Sequence, residues 1–578
     1  MNPNVPKTRD FIASFFRETF RYCANGAVPP WAEGLEEEDL TRVSWFLRDD
    51  LGLDVLTDEG PREGLSSPEK VLAYLERKGC TPPAAPWPPP VHLGEFILRG
   101  ARAGLDRPFL ISGDRSWSWG EARALALGAA ARLRAEGLQS GDRVVLHLGN
   151  SITYAAWFFG ALLAGGTVVP LHPALRRSEV TDTVDRCRAA FLVDQEESTA
   201  RALADRTRII WAGREEPDPT WLPAGGIEPL EEFDTAPPAP IAMILCTSGT
   251  TGDPKGVCLS HRALYENTVA ILSYLRLTAD DRVIAALPWC FAYGNSVFLT
   301  HTLVGGTLVL EKRIQFPAAV RKTMEQQGVT GIPGVPPFFA TLLSRGGLVK
   351  ERLPRLRYIT VAGGALPVAQ LQQLRERLPG VVPYVMYGQT EACARITYVP
   401  PEELDRHIGA AGRPIAGMEL AIADKEGHLL PPGEKGEVLA RGTSLMDGYY
   451  EDPAGTAESL AGGWLHTGDL GYLSEDGYLY VIDRIKAMMK IDGFRVSPLE
   501  VERIISRLPW VEEVLVHAEK GPEKEVLAAR VVPKPDADPD EQALRGHCAE
   551  ELASYKVPRR VYFVEKLPRT KGGKLKRG

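Results

Sequence analysis

Ser248-Gly249-Thr250-Thr251-Gly252-Asp253-Pro254-Lys255 is a loop whose residue types suit it to hold a polyphosphate. Its glycines allow turns closed to other residues and let backbone N–H groups approach an anion. The hydroxyls, with Thr247 just before them, add donors, and Lys255 adds a compact positive charge matched to phosphate oxygens. The apolar run 242–245 (AMIL) predicts a buried strand that feeds the loop. Counting on from Gly249 puts Pro254 where the Walker pattern needs its second glycine, so this is a different phosphate grip. Taken alone, the loop also reads as a Gly/Ser/Thr surface turn.

Short apolar runs at 144–148, 167–171, 190–193, 209–211, 243–246, 283–287, 306–310, 358–361 and 382–386 predict strands. Amphipathic segments at 119–136 and 367–378 fall before or between them, an alternation that argues for α/β layers with parallel sheets. The uncharged stretch 154–171 is interrupted by Gly165-Gly166 and Pro170, which predicts a buried helix over 154–164 turning into a buried strand rather than a membrane span. Residues 429–433 and 437–441 read as a turn and a strand, expected to belong to a small β-barrel closing a large domain. The C-terminal 485–578 reads as a small α+β domain, with a helix over 498–508 and strands over 511–517 and 526–532.

The proline-rich 82–90 (PPAAPWPPP) marks a stiff linker. Before it, apolar residues at helical spacing (Val43, Phe46, Leu47, Leu51; Val71, Leu72, Leu75) predict a small helical module over 1–80. With 578 residues, 44% hydrophobic and 25% charged, the chain is expected to hold several domains. Its net charge of −8 carries none of the basic surplus that nucleic-acid binding requires. Eight cysteines lie scattered with no C-x-x-C pair, which argues against structural zinc and for reduced thiols. The N-terminus lacks the apolar core of a signal peptide, so a cytoplasmic protein is expected.

The phosphate loop resembles the signature of the adenylate-forming superfamily, which includes acyl-CoA synthetases, aryl-acid ligases and peptide-synthetase adenylation domains. The resemblance continues in order through Tyr387-Gly388-Gln389-Thr390-Glu391, Gly463-Trp464-Leu465-His466-Thr467-Gly468-Asp469-Leu470, Asp483-Arg484-Ile485-Lys486, the run from Gly493 to Glu502, and Pro568-Arg569-Thr570-Lys571-Gly572-Gly573-Lys574. It implies a large AMP-binding domain over 93–484 and a small mobile domain over 485–578, joined near Arg484 and preceded by the helical module (1–80) and the linker (81–92). It also implies ATP, Mg²⁺ and a thiol acceptor, with coenzyme A the first choice. A carrier-protein thiol or an amine are the other acceptors that the motifs allow. Around Asp39 the N-terminal module is similar to the second helix of an acyl carrier protein, but an aspartate stands where the pantetheine-bearing serine belongs. A degenerate carrier and an unrelated bundle are both readings of it.

By this resemblance Ser248–Lys255 grips the β/γ-phosphates, Glu391 binds Mg²⁺ through a hard carboxylate oxygen, and Thr390 donates to the α-phosphate. Asp469 accepts the ribose hydroxyls, with Arg484 reaching the same sugar. Tyr387 and Gly388 border the adenine, and Gly363-Gly364-Ala365 pass between the purine and the acyl group. Lys574 is the adenylation lysine, offsetting the charge where two anions meet. Lys486 is the hinge, and Gly493 lies beside the entry of a thiol-bearing arm. For the acid, Trp289, Phe291, Asn295, Gly363 and Met386 are the pocket candidates, with Tyr293 and Phe338 nearby. Those aromatics suit an aryl or aliphatic tail, or they are core packing. The absence of an aspartate after Phe291 disfavours an α-amino acid. A non-catalytic scaffold on the same fold is the rival from another class, opposed by the intact Lys255, Thr390, Glu391, Asp469, Arg484 and Lys574.

Overall fold

The uncharged run folds as helix Ile152–Leu163 followed by strand Thr167–Leu171, buried throughout. Ser151 caps the helix by accepting the Tyr154 amide at 3.0 Å, and Gly165, at φ +90, turns the chain out of it. Gly160 lets this helix lie against Trp119–Ala135; a Cβ there would come within 2.6 Å of the Ala129 Cβ. The second helix starts on a reciprocal capping box between Ser118 and Glu121. The computed structural model describes residues 92–212, 239–247, 255–485, 489–491, 494–520, 525–535, 537–552, 554–569 and 575. The helical module, most of the linker and loop residues 248–254, together with Lys486, Gly493 and Lys574, lie outside them.

Two large sheets carry the site. A seven-stranded sheet runs in the order Gly448–Tyr449, Lys255–Ser260, Ile241–Thr247, Thr167–Leu171, Arg143–His147, Phe191–Asp194, Arg208–Trp211. It is parallel from Ile241–Thr247 onward and antiparallel at its first two strands. A nine-stranded sheet has the parallel strands Pro108–Ser112, Thr307–Leu310, Arg282–Ile284, Gly331–Gly334, Tyr358–Val361 and Val382–Tyr387 at its centre. Each predicted strand is present within a few residues of its expected bounds. Strand Gly331–Gly334 (GIPG) has no β-signal of its own. It is buried all the same, because a Cβ at position 331 would fall 2.0 Å from the Tyr358 ring on the next strand.

The expected small barrel is instead an open four-stranded antiparallel sheet, ordered Met418–Ala423, Gly436–Gly442, Leu465–Leu473, Leu479–Arg484. Its last strand meets Gly412 through Leu479 and does not return to the first, and four strands are too few to close. The C-terminal part has its own core around Val501, Ile505, Val516 and Leu544, under a three-stranded sheet of Val511–Lys520, Glu525–Pro533 and Arg560–Phe563. Helix Pro498–Ile505 is tethered to the last strand of the open sheet. Asp483, buried, accepts from the Ser497 hydroxyl and from the Leu499 amide at 3.2 Å.

Burial lowers the pKa of His261 to about 3 and of His301 to about 4, so both are neutral in the folded chain. An unfolded histidine takes a proton near pH 6.5, so between that pH and about 4 the unfolded state binds more protons and stability falls as the pH falls. Each should cost about 2 kcal/mol at pH 5. The melting temperature is therefore expected to drop between pH 7.5 and pH 5, and to drop less in His301→Gln. An equal drop in that variant would show that other groups drive it.

Candidate active site

The edge pairing of Gly448–Tyr449 with Val257–Cys258 carries Tyr449 over to Lys255. The Lys255 ammonium lies 4.3 Å from the Tyr449 ring centroid and 3.4 Å from the Asp452 carboxylate. The Tyr449 hydroxyl donates to Glu391 at 3.0 Å, and burial plus the Glu391 charge push that phenol up to about 12. The base of the phosphate loop and the candidate metal ligand are thus joined through one aromatic ring. Tyr449 and Asp452 carry no signal in the sequence; only the sheet edge puts them here. The Tyr449 hydroxyl engages one of the two Glu391 carboxylate oxygens. Among the described residues no cluster of three or more His, Cys, Asp or Glu could cage a metal.

Tyr449→Phe keeps the ring under Lys255 and removes the donor that orients Glu391. A hydrogen bond to a charged group is worth about 1.5–3 kcal/mol, so nucleotide-dependent activation is expected to fall about 10- to 100-fold. Pyrophosphate exchange measured across a Mg²⁺ titration checks it, and unchanged exchange would sever Tyr449 from the site.

On the other side of Glu391, Asp469 sits on strand Leu465–Leu473 directly opposite Arg484 on Leu479–Arg484. Arg484 Nε lies 2.7 Å from one Asp469 oxygen, and the Tyr387 hydroxyl donates to the other at 2.5 Å. Asp469 is 4% exposed, and burial holds its carboxyl above the usual range against the pull of Arg484 and Tyr387. Tyr387, expected beside the adenine, is seen here tied to the ribose candidate. Arg484 also donates to the Thr467 carbonyl at 3.1 Å, while half of its side chain stays exposed.

Gly388 must be glycine: a Cβ would lie 2.1 Å from the Ala394 carbonyl oxygen, where the loop folds back under Thr390 and Glu391. Gly363, at φ +80, makes a left-handed turn after strand Tyr358–Val361, and Gly363, Gly364 and Ala365 are exposed, open to a ligand.

The acid-pocket candidates divide. Phe291 stacks on His172 with ring centroids 5.5 Å apart. Trp289, expected in the pocket, is instead core: it is buried, stacked on Phe298 at 4.4 Å and edge-on to Tyr154. Its backbone amide is held by Asn150 at 2.9 Å, which directs the ring inward. Asn295 is buried below the loop, and the Met386 sulfur accepts from Tyr274 and Arg395 at 3.2 Å each. Tyr293 donates to the Thr360 carbonyl at 2.8 Å, under the guanidinium of Arg395.

The chain matches the family model described as AMP-binding enzyme over residues 98–450, and the AMP-binding enzyme C-terminal domain over 500–574. It is 32% identical over 493 residues to a feruloyl-CoA synthase of an Amycolatopsis species, covering 84% of this chain and 98% of the relative. It is likewise 32% identical to a 2-succinylbenzoate–CoA ligase of Bacillus licheniformis, covering 83% and 98%. Among solved structures, an anthranilate CoA ligase in complex with anthranoyl-AMP superposes with a TM-score of 0.77 at 26% identity, covering 84% of this chain and 96% of that one. The o-succinylbenzoate coenzyme A synthetase of Bacillus subtilis with ATP and magnesium ion gives 0.71 at 28% identity, covering 83% and 98%.

Proposed function

Because this chain belongs to the AMP-binding enzyme family, we propose that it is an ATP-dependent ligase joining a carboxylic acid to coenzyme A through an acyl-adenylate. The observation that carries the reading is the convergence of Lys255, Tyr449 and Glu391 on one side and Tyr387, Asp469 and Arg484 on the other. The first set suits a triphosphate and the second a ribose.

Two anions must meet in the first half-reaction, so the site works mainly by charge and position. In our reading Lys255 leaves Asp452 for the β/γ-phosphates, and the hydroxyls of 247–251 follow the pyrophosphate as it departs. Glu391, oriented by Tyr449, would hold the Mg²⁺, which supplies charge neutralisation at the phosphates. Thr390 donates to the α-phosphate. Asp469 retains lone pairs beyond those used by Tyr387 and Arg484, enough to accept the ribose hydroxyls. Lys574 bridges the acid and the α-phosphate; once the adenylate exists, the small domain withdraws it, turning about Lys486, and brings Gly493 to the thiol.

Phe291 and the open Gly363-Gly364-Ala365 turn suit a flat or alicyclic acid. The names of the relatives, feruloyl-CoA synthase and 2-succinylbenzoate–CoA ligase among them, favour an aryl substrate. A cytoplasmic location and Mg²⁺ dependence belong to the same reading. None of the described helices is long and apolar enough to cross a membrane. Loading of a carrier-protein thiol is the second reading, resting on the carrier-like residues around Asp39.

The test is a mass-spectrometric survey with ATP, Mg²⁺ and a pool of aryl and fatty acids, with and without coenzyme A. Acyl-CoA formed only when coenzyme A is present is the expected result. Acyl-adenylate accumulating equally in both reactions would move the acceptor to a carrier protein or an amine.

A further inference from the structure

We propose that Arg395 forms the far wall of the acid pocket and selects acids bearing a second carboxylate at the end remote from the reacting one. This rests on the ligase reading and narrows its substrate to a dicarboxylic acid.

Arg395 is 2% exposed, and among the described residues no carboxylate pairs with it. Its Nε donates to the Met386 sulfur and its Nη1 to the Ala394 carbonyl, each at 3.2 Å, and the guanidinium lies 4.2 Å from the Tyr293 ring centroid. Its partners are a thioether, a neighbouring carbonyl, the Tyr274 hydroxyl and a ring face, and among the described residues none of them is a counter-ion. The phenols of Tyr274 and Tyr293 cannot supply one, because burial raises both pKa values. An isolated buried charge is costly, and such charges are kept where they are paired or where they bind. Arginine offers up to five donors in the fork that a carboxylate fills in bidentate fashion.

The backbone holds this cation in place. After the turn Thr390–Ala392, Cys393 (φ 54) and Ala394 (φ 111) both adopt left-handed conformations, and the buried Asn267 donates to the Arg395 carbonyl at 2.9 Å. Strain at two successive non-glycine residues persists only where the surroundings impose it. Along strand Val382–Tyr387 successive side chains face opposite ways. Tyr387 turns to Asp469 on the nucleotide side, and Met386 turns to Arg395. The reacting carboxyl belongs with the nucleotide, so Arg395 is left to the other end of the acid. Arg395 also borders a narrow cavity with Ser296, Thr300, His301 and Thr360, whose room is about that of one water molecule.

The experiment compares 3-phenylpropanoate with its three ring-carboxylated isomers. It reads kcat/KM for adenylate formation and, separately, Kd by calorimetry, in wild type, Arg395→Met and Arg395→Lys. Wild type is expected to favour at least one dicarboxylate by about 10⁴-fold, the preference of a site built to hydrogen-bond a polar group of its substrate. Arg395→Met should erase most of that ratio, mainly by losing the dicarboxylate, and Arg395→Lys should keep part of it. Wild type treating the parent acid as well as every isomer overturns the proposal, whatever the variants do. So does a soluble Arg395→Met that keeps the ratio. A calorimetric preference with no turnover of any acid would support the role of Arg395 and count against the ligase reading alone.

Discussion

Lys574→Ala is expected to cut acyl-adenylate formation by about 10²–10³-fold, the usual loss when one preorganised charge is removed from a developing anionic centre. Thioester formation from pre-made acyl-adenylate should stay within a few-fold of wild type. The asymmetry follows from the domain on which the chain places the lysine. Leu575, the next residue, pairs with Arg569 and packs with Leu515, Val532 and Leu567 of the small domain, and Arg569 is ion-paired with Glu513 there. In the proposed mechanism the lysine moves with that domain, while Asp469 and Lys255 lie on strands of the large one and Glu391 in the turn Thr390–Ala392. A group on a moving body can serve one half-reaction and be absent from the other. Pyrophosphate exchange reads the first step and a synthetic acyl-adenylate with coenzyme A reads the second. Equal loss in both would refute the assignment.

Asp469→Asn is expected to lower kcat/KM for ATP by about 10²-fold, with KM for the acid nearly unchanged. The substitution breaks the 2.7 Å contact with Arg484 and points an N–H₂ group at either the guanidinium or the Tyr387 hydroxyl. Truncating one partner of a buried, hydrogen-bonded charge pair costs about 2–5 kcal/mol, which already covers that loss. A fold defect would produce the same number, so the sharper reading is nucleotide choice. Wild type should discriminate against 2′-deoxy-ATP, and Asp469→Asn should discriminate far less, because the acceptor of the 2′-hydroxyl is what it has lost. Undiminished discrimination in the variant would move the ribose contact elsewhere.

Chain order alone contained the phosphate loop, the Tyr-Gly-Gln-Thr-Glu turn and the α/β alternation. Phosphate chemistry is satisfied by short stretches of glycine, hydroxyl and one charge, and buried parallel strands are short apolar runs bounded by turns. Both are local, so both survive in one dimension, down to the break of the uncharged stretch at Gly165-Gly166. The strand Gly331–Gly334 is not legible in the sequence, because its β-character comes from Tyr358 on its neighbour and not from its own residues. The barrel became an open sheet for a similar reason: closure depends on which edges meet, and no strand encodes its partner.

The tertiary structure alone decided which of the chemistry-bearing residues meet. Tyr449 reaches Glu391 and Lys255 through a two-residue edge pairing. Trp289 and Tyr293 lie four residues apart, yet the first packs in the core and the second, in helix Ala292–Val304, lies under a guanidinium. Arg395 looks in sequence like any charged residue in a loop. Its burial, with no carboxylate partner among the described residues, follows from a backbone reversal at Cys393 and Ala394 that depends on Gly388 and Asn267. Residue type sets what a side chain can do, and side-chain direction sets what it meets. Direction is fixed by contacts far apart in sequence, which only the folded chain makes.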